Sequence, residues 1–319
     1  MRLPKLRGNR AARDRRSLQY NQVPEVRDAD GQGLMTKSPL ILSVASGKGG
    51  TGKTTLATAL ALSLEGPVQF LDCDVEEPNG HIFLKPEITS REEVFIPVPE
   101  VDEKACTHCG LCQEVCEYNA IAVLKKRVMV FPELCHGCGA CSLLCPEKAI
   151  KEVGKEIGVV ELGAAASRNG SSIRFGMGLL NVGEAMSPPL IRSLKEHIDE
   201  EGIVVLDVPP GTSCPVITAV TGSDYCILVT EPTPFGLNDL VLAVEALNIM
   251  GIPFGVVVNR AGIGDGKVED YCMENGIEVL LKISFDRGIA EAYSRGIPLT
   301  EARPRYAELL REVIDKIGG

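Results

Sequence analysis

Two clusters of cysteines repeat the spacing C-x2-C-x2-C-x3-C. Their members are Cys106, Cys109, Cys112 and Cys116 in the first run and Cys135, Cys138, Cys141 and Cys145 in the second. Closely spaced thiolates predict metal centres, and the internal duplication predicts a pseudo-symmetric pair of sites. Structural zinc on four cysteines is the alternative, but zinc sites do not usually present cysteines in this run. Because no export signal is visible, we do not expect disulfides among the twelve cysteines.

A glycine-rich run lies between an apolar strand pattern and a helical pattern. It reads Gly47-Lys48-Gly49-Gly50-Thr51-Gly52-Lys53-Thr54 and fits the phosphate-binding pattern G-x4-G-K-T. Its glycines let backbone N–H groups close around phosphate oxygens, and the following helix adds its dipole. We expect Lys53 to neutralise the β- and γ-phosphates of ATP, and Thr54 to offer its hydroxyl to Mg²⁺. The predicted ATP/ADP contacts are Gly47, Lys48, Gly49, Gly50, Thr51, Gly52, Lys53, Thr54 and Thr55.

Acidic and amide side chains end three of the predicted strands. Asp72 and Asp74 close one strand and Asp207 closes another. Asn259 and Arg260 close a third. Ligands bind at the carboxyl ends of parallel strands, and Mg²⁺ prefers oxygen ligands while it keeps several waters. Each of these residues alone could cap a turn. Because they occur in order at the ends of predicted strands, we predict that together they form a functional site.

Apolar runs alternate with helical patterns from residue 40 onward. The predicted strands are 40–45, 68–72, 203–207, 225–230, 254–259 and 279–283. The predicted helices are 53–64, 188–200, 236–250 and 287–294. Continuous apolar strands suit a parallel sheet that is covered on both faces. The alternation therefore predicts right-handed βαβ units in a doubly wound α/β fold with a mostly parallel sheet.

Lys48 is an additional lysine inside the glycine-rich run. It marks a deviant Walker A loop, and here the sequence resembles the MinD/Mrp/ParA class of P-loop ATPases, which includes the nitrogenase iron protein. The resemblance implies that Lys48 reaches the nucleotide of the other subunit in a face-to-face dimer. ATP binding is then expected to control dimerisation, either of two identical chains or of this chain with a paralogous ATPase.

The same resemblance assigns roles to the polar residues at the strand ends. Asp74 lies where the class orients the attacking water, and Asp207 lies where it holds Mg²⁺ through the water shell of the metal. Asn259, followed by Arg260, lies where the class reads adenine. The catalytic residues that the resemblance implies are Lys48, Lys53, Asp74 and Asp207.

The duplicated cysteine run, with Pro146 after its last cysteine, resembles the two-cluster bacterial ferredoxins. In that arrangement three cysteines hold one cubane and the fourth crosses to the other cubane. The resemblance therefore implies two 4Fe-4S clusters. The first is assigned to Cys106, Cys109, Cys112 and Cys145, and the second to Cys135, Cys138, Cys141 and Cys116.

The domain boundaries follow from these motifs. Residues 1–37 carry nine Lys/Arg and four Asp/Glu, and we predict a disordered basic tail, with Met35 as the alternative natural start. Residues 38–100 and 155–319 are predicted to form the two parts of a P-loop ATPase domain that is MinD-like by resemblance. Residues 101–154 are predicted to form an inserted bacterial two-cluster ferredoxin-like domain.

Charge and composition exclude several classes of protein. The net charge of −10 argues against nucleic-acid binding. Apolar runs stay far below the roughly 20 residues of a membrane span. The C-terminal helical pattern carries mixed charge, so we expect no stable membrane anchor. We therefore expect a cytoplasmic location.

Four cysteines lie outside the repeat. Cys226 and Cys272 are predicted to be buried, inert thiols. Cys214 lies seven residues after Asp207, the offset at which the nitrogenase iron protein carries a cluster-ligating cysteine. Such a bridging cluster needs a second cysteine upstream, and residues 155–200 contain none. Cys73 has no assigned role.

Three functions fit this combination of motifs. The first is an ATPase whose dimer cycle gates electron transfer through the two clusters. The second is an Mrp-like carrier of iron–sulfur clusters, although carriers hold a labile cluster on a C-terminal C-x-x-C and the region after Cys226 contains only Cys272. The third is a MinD-like cell-positioning ATPase. The first two predict an unknown redox or iron–sulfur protein as partner.

Overall fold

We describe a computed structural model of the chain over residues 38–167 and 170–318. The predicted basic tail of residues 1–37 and the alternative start at Met35 lie outside the described residues. The strands are β1 (Leu40–Ala45), β2 (Val68–Asp72), β3 (Glu87–Val101), β4 (Ile121–Leu124), β5 (Arg127–Val130), β6 (Ile150–Ala166), β7 (Ser172–Leu180), β8 (Ile203–Asp207), β9 (Tyr225–Thr230), β10 (Phe254–Ala261) and β11 (Val279–Ser284). The α-helices are α1 (Lys53–Ser63), α2 (Gly80–Leu84), α3 (Leu111–Glu114), α4 (Ala140–Leu143), α5 (Pro188–Lys195), α6 (Cys214–Val220), α7 (Pro234–Met250), α8 (Lys267–Glu274), α9 (Arg287–Tyr293), α10 (Leu299–Ala302) and α11 (Arg305–Gly318).

A nine-stranded sheet organises the chain. Its strand order is β11-β10-β9-β1-β8-β2-β7-β6-β3. The strands from β11 to β7 in this order run parallel. Strand β6 is antiparallel to both of its neighbours, β7 and β3. The predicted α/β fold with a mostly parallel sheet is therefore confirmed.

Helices cover both faces of the sheet, and successive residues of a strand enter opposite cores. In β2, Phe70 packs with Leu60 and Tyr306 on the face covered by α1 and α11. Leu71 packs with Leu194 of α5 on the other face. Among the described residues, no helix combines the length and the apolar character that crossing a membrane requires.

The central elements agree closely with the sequence prediction. Strands β1, β2, β8 and β9 have the predicted bounds, whereas β10 and β11 continue to Ala261 and Ser284. Helix α7 begins at Pro234, before the predicted residue 236, because Thr233 caps it by accepting a hydrogen bond from the amide of Gly236 at 3.0 Å.

Helix α5 is shorter than predicted and ends at Lys195 instead of residue 200. The side chain of Gln69 explains the difference, because it takes over two backbone groups beyond the helix. Its Nε2 donates to the carbonyl oxygen of His197 at 2.7 Å, and its Oε1 accepts from the amide of Asp199 at 2.9 Å. The backbone of residues 197–199 thus forms hydrogen bonds with a side chain of β2 and does not form a further helical turn.

Three long strands, β3, β6 and β7, were not predicted. Strand β3 forms one edge of the sheet, and its first seven residues, from Glu87 to Glu93, are exposed. An edge strand that is exposed over half its length lacks the apolar pattern that identifies a strand in the sequence. The antiparallel pairing of β3 with β6 therefore becomes visible only in the structure.

Residues 102–149, the cysteine segment, connect β3 to β6. Val101 and Ile150 are register partners, so both ends of the segment are fixed at one point on the sheet edge. The segment contains the hairpin of β4 and β5 and the short helices α3 and α4. Strand β6 already begins at Ile150, inside the predicted insertion of residues 101–154. All described residues, the cysteine segment included, belong to one packing unit.

Candidate functional site

The glycine-rich loop connects the end of β1 to α1, which begins at Lys53. Gly52 precedes the helix with a φ of 97°, and a Cβ there would lie 2.4 Å from Nδ2 of Asn259. A Cβ on Gly47 would lie 2.2 Å from the carbonyl oxygen of Asp239 in α7. Because neither position has room for a side chain, the loop backbone packs closely against α7 and the end of β10.

Asn259 and Arg260 lie at the carboxyl end of β10, where both contact this loop. Nδ2 of Asn259 donates to the carbonyl oxygen of Thr51 at 2.7 Å. Nη2 of Arg260 donates to the carbonyl oxygen of Gly50 at 3.2 Å. The structure thus places both predicted residues against the glycine-rich loop of residues 47–54, which we call the phosphate loop. That Asn259 reads adenine stays a prediction.

Glu231 is a site residue that the sequence analysis did not identify. It follows β9 and is only 7% exposed. Its carboxylate pairs with Nζ of Lys48 and, at 2.7 Å, with Nη1 of Arg260. One buried carboxylate therefore pairs with two cations beside the phosphate loop, and the three groups together keep one positive charge. The available signal was an acidic residue at the end of an apolar strand, which a simple turn cap would also explain.

Asp207 ends β8 and is completely buried. Within the part of the chain that the structure describes, neither of its carboxylate oxygens accepts a hydrogen bond of good geometry, although the hydroxyl of Thr54 is close enough to act on its charge. Burial raises the pKa of Asp207 to about 7, although the hydroxyl of Thr54 and the ammonium of Lys53 lower it. Buried polar groups without a partner are rare and costly. A free carboxylate beside a hydroxyl therefore fits a magnesium ion that keeps its water shell.

The two aspartates after β2 have different surroundings. Asp72 is completely buried and accepts hydrogen bonds from the amides of Asp74 at 3.2 Å and Gly80 at 2.8 Å. Partial burial raises the pKa of Asp74 to about 6, while Lys53 lowers it and the neighbouring glutamates raise it further. Asp72 thus stabilises the turn that follows β2 through these two hydrogen bonds. The carboxylate of Asp74 lies near Lys53.

The eight repeat cysteines line two cavities. The first cavity is lined by Cys106, Cys109, Cys112 and Cys145, and the second by Cys116, Cys135, Cys138 and Cys141. Each cavity joins three cysteines of one run to the last cysteine of the other run. This is the grouping that the resemblance implied for two clusters, whose presence stays a prediction. Among the described residues, no three His, Cys, Asp or Glu side chains form a site for a single metal ion.

The two halves of the cysteine segment share their backbone geometry. Positive φ angles recur in pairs 29 residues apart: His108 (58°) with Gly137 (65°), Gly110 (87°) with Gly139 (72°), and Asn119 (52°) with Lys148 (50°). Backbone amides donate to four of the sulfurs at 3.3–3.4 Å: His108 to Cys106, Gly137 to Cys135, Ala120 to Cys116, and Ala149 to Cys145. Such donors stabilise thiolates that ligate iron. The two cavities therefore share one pattern of amide–sulfur contacts, although burial raises the pKa of the Cys112 and Cys141 thiols.

The remaining cysteines lie apart from both cavities. Cys226 and Cys272 are buried, as expected, and burial raises their pKa to about 12 and about 11. Both therefore remain thiols at neutral pH. Cys73 is buried between the two aspartates, and burial raises its pKa as well. Cys214 is exposed at the first residue of α6.

Comparison with known proteins identifies the architecture. The CobQ/CobB/MinD/ParA nucleotide binding domain matches residues 42–299. An uncharacterized protein of Methanocaldococcus jannaschii is 31% identical over 281 residues, which cover 86% of this chain and 95% of that protein. An iron–sulfur cluster carrier protein of Pyrococcus horikoshii is 30% identical over 134 residues, which cover 36% of this chain and 45% of the carrier.

A solved structure has the same fold. The septum site-determining protein MinD complexed with Mg-ADP, from Pyrococcus horikoshii, aligns with a TM-score of 0.52 and 21% identity. The alignment covers 88% of this chain and 97% of that protein. At this level of identity the likeness shows the fold alone.

Proposed function

The chain belongs to the CobQ/CobB/MinD/ParA nucleotide-binding family, and we propose that it is an ATPase whose dimer cycle gates electron transfer through two 4Fe-4S clusters. The observation that carries the proposal is the division of the eight repeat cysteines between two cavities, each with one cysteine from the opposite run. These cavities belong to the same packing unit as the phosphate loop. The two sites are thus parts of one folded body, which coupling between them requires.

The phosphate loop offers the groups that ATP with magnesium would need. The loop amides and Lys53 would hold the phosphates, and the hydroxyl of Thr54 would ligate Mg²⁺. Asp207 would hold the metal through water, which would give its buried oxygens the well-aligned hydrogen bonds that they lack within the described chain. Asp74 would orient the attacking water, because a carboxyl with a pKa of about 6 is mostly ionised at neutral pH and accepts a hydrogen bond.

Lys48 would act across the dimer interface. Its side chain is 30% exposed, so the ammonium can leave the carboxylate of Glu231 without crossing packed protein. In the dimer, Lys48 would exchange that carboxylate for a phosphate of the other subunit's nucleotide. ATP would thereby favour dimerisation, whether the partner is a second copy or a paralogous ATPase.

The two cavities would each hold one 4Fe-4S cluster. When bound, such clusters supply one-electron transfer at low potential. The thiolates of Cys106 and Cys135 would be held in place by the amides of His108 and Gly137. Zinc is disfavoured because structural zinc sites do not usually present their cysteines as C-x2-C-x2-C-x3-C.

A carrier of iron–sulfur clusters is the second candidate. The partial match to the carrier protein of Pyrococcus horikoshii supports it, over 36% of this chain. A transferred cluster needs ligands that release it, however. The thiol groups here are drawn from both halves of a duplicated segment, and Cys116 and Cys145 accept backbone hydrogen bonds. This arrangement favours resident clusters over transferred ones.

Anaerobic purification followed by iron analysis and electron paramagnetic resonance tests the cluster assignment. Two clusters correspond to about eight iron atoms per chain. Cys145→Ser should lose about half of this iron, because the first cavity loses the ligand that comes from the second run. Cys214→Ser is the matched control, since that cysteine lies outside both cavities. Zinc in place of iron in the unaltered protein would refute the proposal.

A further inference from the structure

A half-buried ion pair joins the cysteine segment to the loop that follows β7. Nζ of Lys155, on β6, lies 2.8 Å from Oε1 and 2.9 Å from Oε2 of Glu184. The two side chains are 19% and 12% exposed. The same ammonium donates to the carbonyl oxygen of Pro132 at 3.2 Å. Lys155 therefore holds two separate segments of the chain at one point.

The contact between Lys155 and Pro132 lies next to Cys135, a cysteine of the second cavity. The carbonyl oxygen of Pro132, which accepts from Lys155, also accepts from the amide of Cys135 at 3.2 Å. Cys135 lines the second cavity. A displacement of the Lys155 ammonium would thus act on the turn that sets the position of this sulfur.

The contact between Lys155 and Glu184 connects to the nucleotide site. Residues 181–187, the β7–α5 loop, include Glu184 and end at Ser187, whose hydroxyl donates to Oε1 of Glu76 at 3.1 Å. Just before this loop, the amide of Leu180 donates to the carbonyl oxygen of Val75 at 2.9 Å. Val75 and Glu76 directly follow Asp74. A displacement of Val75 and Glu76 would therefore also displace the β7–α5 loop.

The first cavity is anchored differently, although the two halves of the segment are related in sequence. The amide of Cys106 donates to the carbonyl oxygen of Asp102 at 3.0 Å. The amide of Asp102 in turn donates to the carbonyl oxygen of Ala149 at 2.7 Å. These hydrogen bonds connect the turn before Cys106 to the two ends of the cysteine segment, next to β3 and β6. They do not connect it to the β7–α5 loop.

We propose that Lys155 and Glu184 are positioning residues that carry the nucleotide state from Asp74 to Cys135, so that the second thiol site responds to ATP more strongly than the first. This inference rests on the proposed function, because it names the route and the cluster site through which the nucleotide cycle acts. A half-buried pair suits this role, since separating the charges is costly and the two segments therefore move together.

Hydrogen exchange of the anaerobic, cluster-loaded chain tests the route without measuring activity. Residues 133–136 and 104–107 are equivalent in the repeat, so the first half provides an internal control. We expect MgATP to change exchange at residues 133–136 by on the order of threefold and to leave residues 104–107 nearly unchanged.

Matched variants test the two positioning residues. The double variant Lys155→Met/Glu184→Gln removes both charges and leaves no buried charge alone, and it should lose the response at residues 133–136. Glu184→Gln alone is the second test, should the double variant fold poorly. Lys151→Met is the control, because Lys151 is an exposed lysine on the same face of β6. Nucleotide binding should stay unchanged in every variant.

The possible outcomes separate this inference from the proposed function. No response to MgATP at either half would contradict the gating itself. A response at residues 104–107 that equals or exceeds the one at 133–136 would overturn the inference and leave the gating intact. A response at 133–136 that persists in the charge-free double variant would show that coupling does not pass through Lys155 and Glu184.

Discussion

Asp72 and Asp207 are register partners on the neighbouring parallel strands β2 and β8, and both carboxyl groups are completely buried. Asp72 accepts hydrogen bonds from two backbone amides, whereas the oxygens of Asp207 accept no hydrogen bond of good geometry among the described residues. Two adjacent aspartates thus have separate tasks. One holds the turn after β2, and the other is the carboxylate that we propose to hold the metal of the nucleotide through water.

Asp207→Asn should change how the stability of the nucleotide-free protein depends on pH. Burial raises the folded-state pKa of Asp207 to about 7, above its usual value of 3.8. The folded state therefore binds the proton more tightly than the unfolded state, and the free energy of unfolding falls as pH rises from about 4 through 7. We expect the variant to unfold at a higher temperature at pH 8, by several degrees, and to show little gain at pH 4.

Thermal unfolding between pH 4 and pH 8 measures this effect. Asp224→Asn provides a control at an aspartate near the same sheet that bonds to the exposed amide of Ile41 instead. A variant at Asp207 that is less stable than the unaltered chain at every pH would contradict a free, desolvated carboxyl at this position. The same variant should lose Mg²⁺-dependent ATPase activity.

Asp72→Ala should destabilise the fold while the phosphate loop stays intact. The substitution leaves the buried amide of Gly80 and the half-buried amide of Asp74 without their acceptor. Each buried donor without a partner costs about 1–3 kcal/mol. Urea unfolding should therefore show a loss of about 2–5 kcal/mol. If the variant kept full stability but lost ATP hydrolysis, Asp72 would have a catalytic rather than a structural task.

Glu231→Gln should lower the ATP concentration needed for dimerisation. The carboxylate holds Lys48 within its own subunit and also pairs with Arg260. Its removal frees Lys48 for the nucleotide of the partner, and leaves more positive charge at the phosphate loop. We expect the midpoint of ATP-dependent dimerisation to fall by about three- to tenfold, a change of about 1 kcal/mol. Light scattering over an ATP titration measures it.

The control for this variant is Glu245→Gln on the exposed face of α7, which should leave the midpoint unchanged. An increase in the midpoint for Glu231→Gln would show that Glu231 positions Lys48 for the dimer rather than restraining it.

Lys53→Ala and Lys48→Ala should separate the two halves of the proposed function. Lys53 is buried at the start of α1, beside the carboxylates of Asp74 and Asp207. Its loss should abolish ATP hydrolysis, and loss of Lys48 should do the same by preventing catalysis in the dimer. Both variants should keep their iron, because the cavities are lined by other residues. Colourless protein from either variant would contradict two independent sites.

Local patterns explain why much of the fold could be predicted. Strands β1, β2, β8 and β9 are short runs rich in apolar residues, and the phosphate loop lies in eight consecutive residues. The cysteine runs repeat a spacing that resembles the two-cluster ferredoxins, and this resemblance implied how the cysteines are grouped. Each of these features is read from residues that are close in the sequence, so tertiary packing is not needed to recognise them.

Other features depend on contacts between distant residues. Glu231 lies 183 residues from Lys48, and neither residue predicts the other. The exposed half of β3 has no apolar alternation, so only its pairing with β6 defines it as a strand. The link from Pro132 through Lys155 to Glu184 joins three segments, each of which is unremarkable in the sequence. Tertiary structure alone brings these groups together.

The proposed function requires that the nucleotide site and the thiol sites communicate. An anaerobic redox titration followed by electron paramagnetic resonance, with and without MgATP, measures this communication. We expect a nucleotide-dependent shift in midpoint potential of roughly 60 mV, which for a one-electron couple is about 1.4 kcal/mol of coupling. Clusters that are reduced and reoxidised reversibly at the same potential, with and without MgATP, would contradict it.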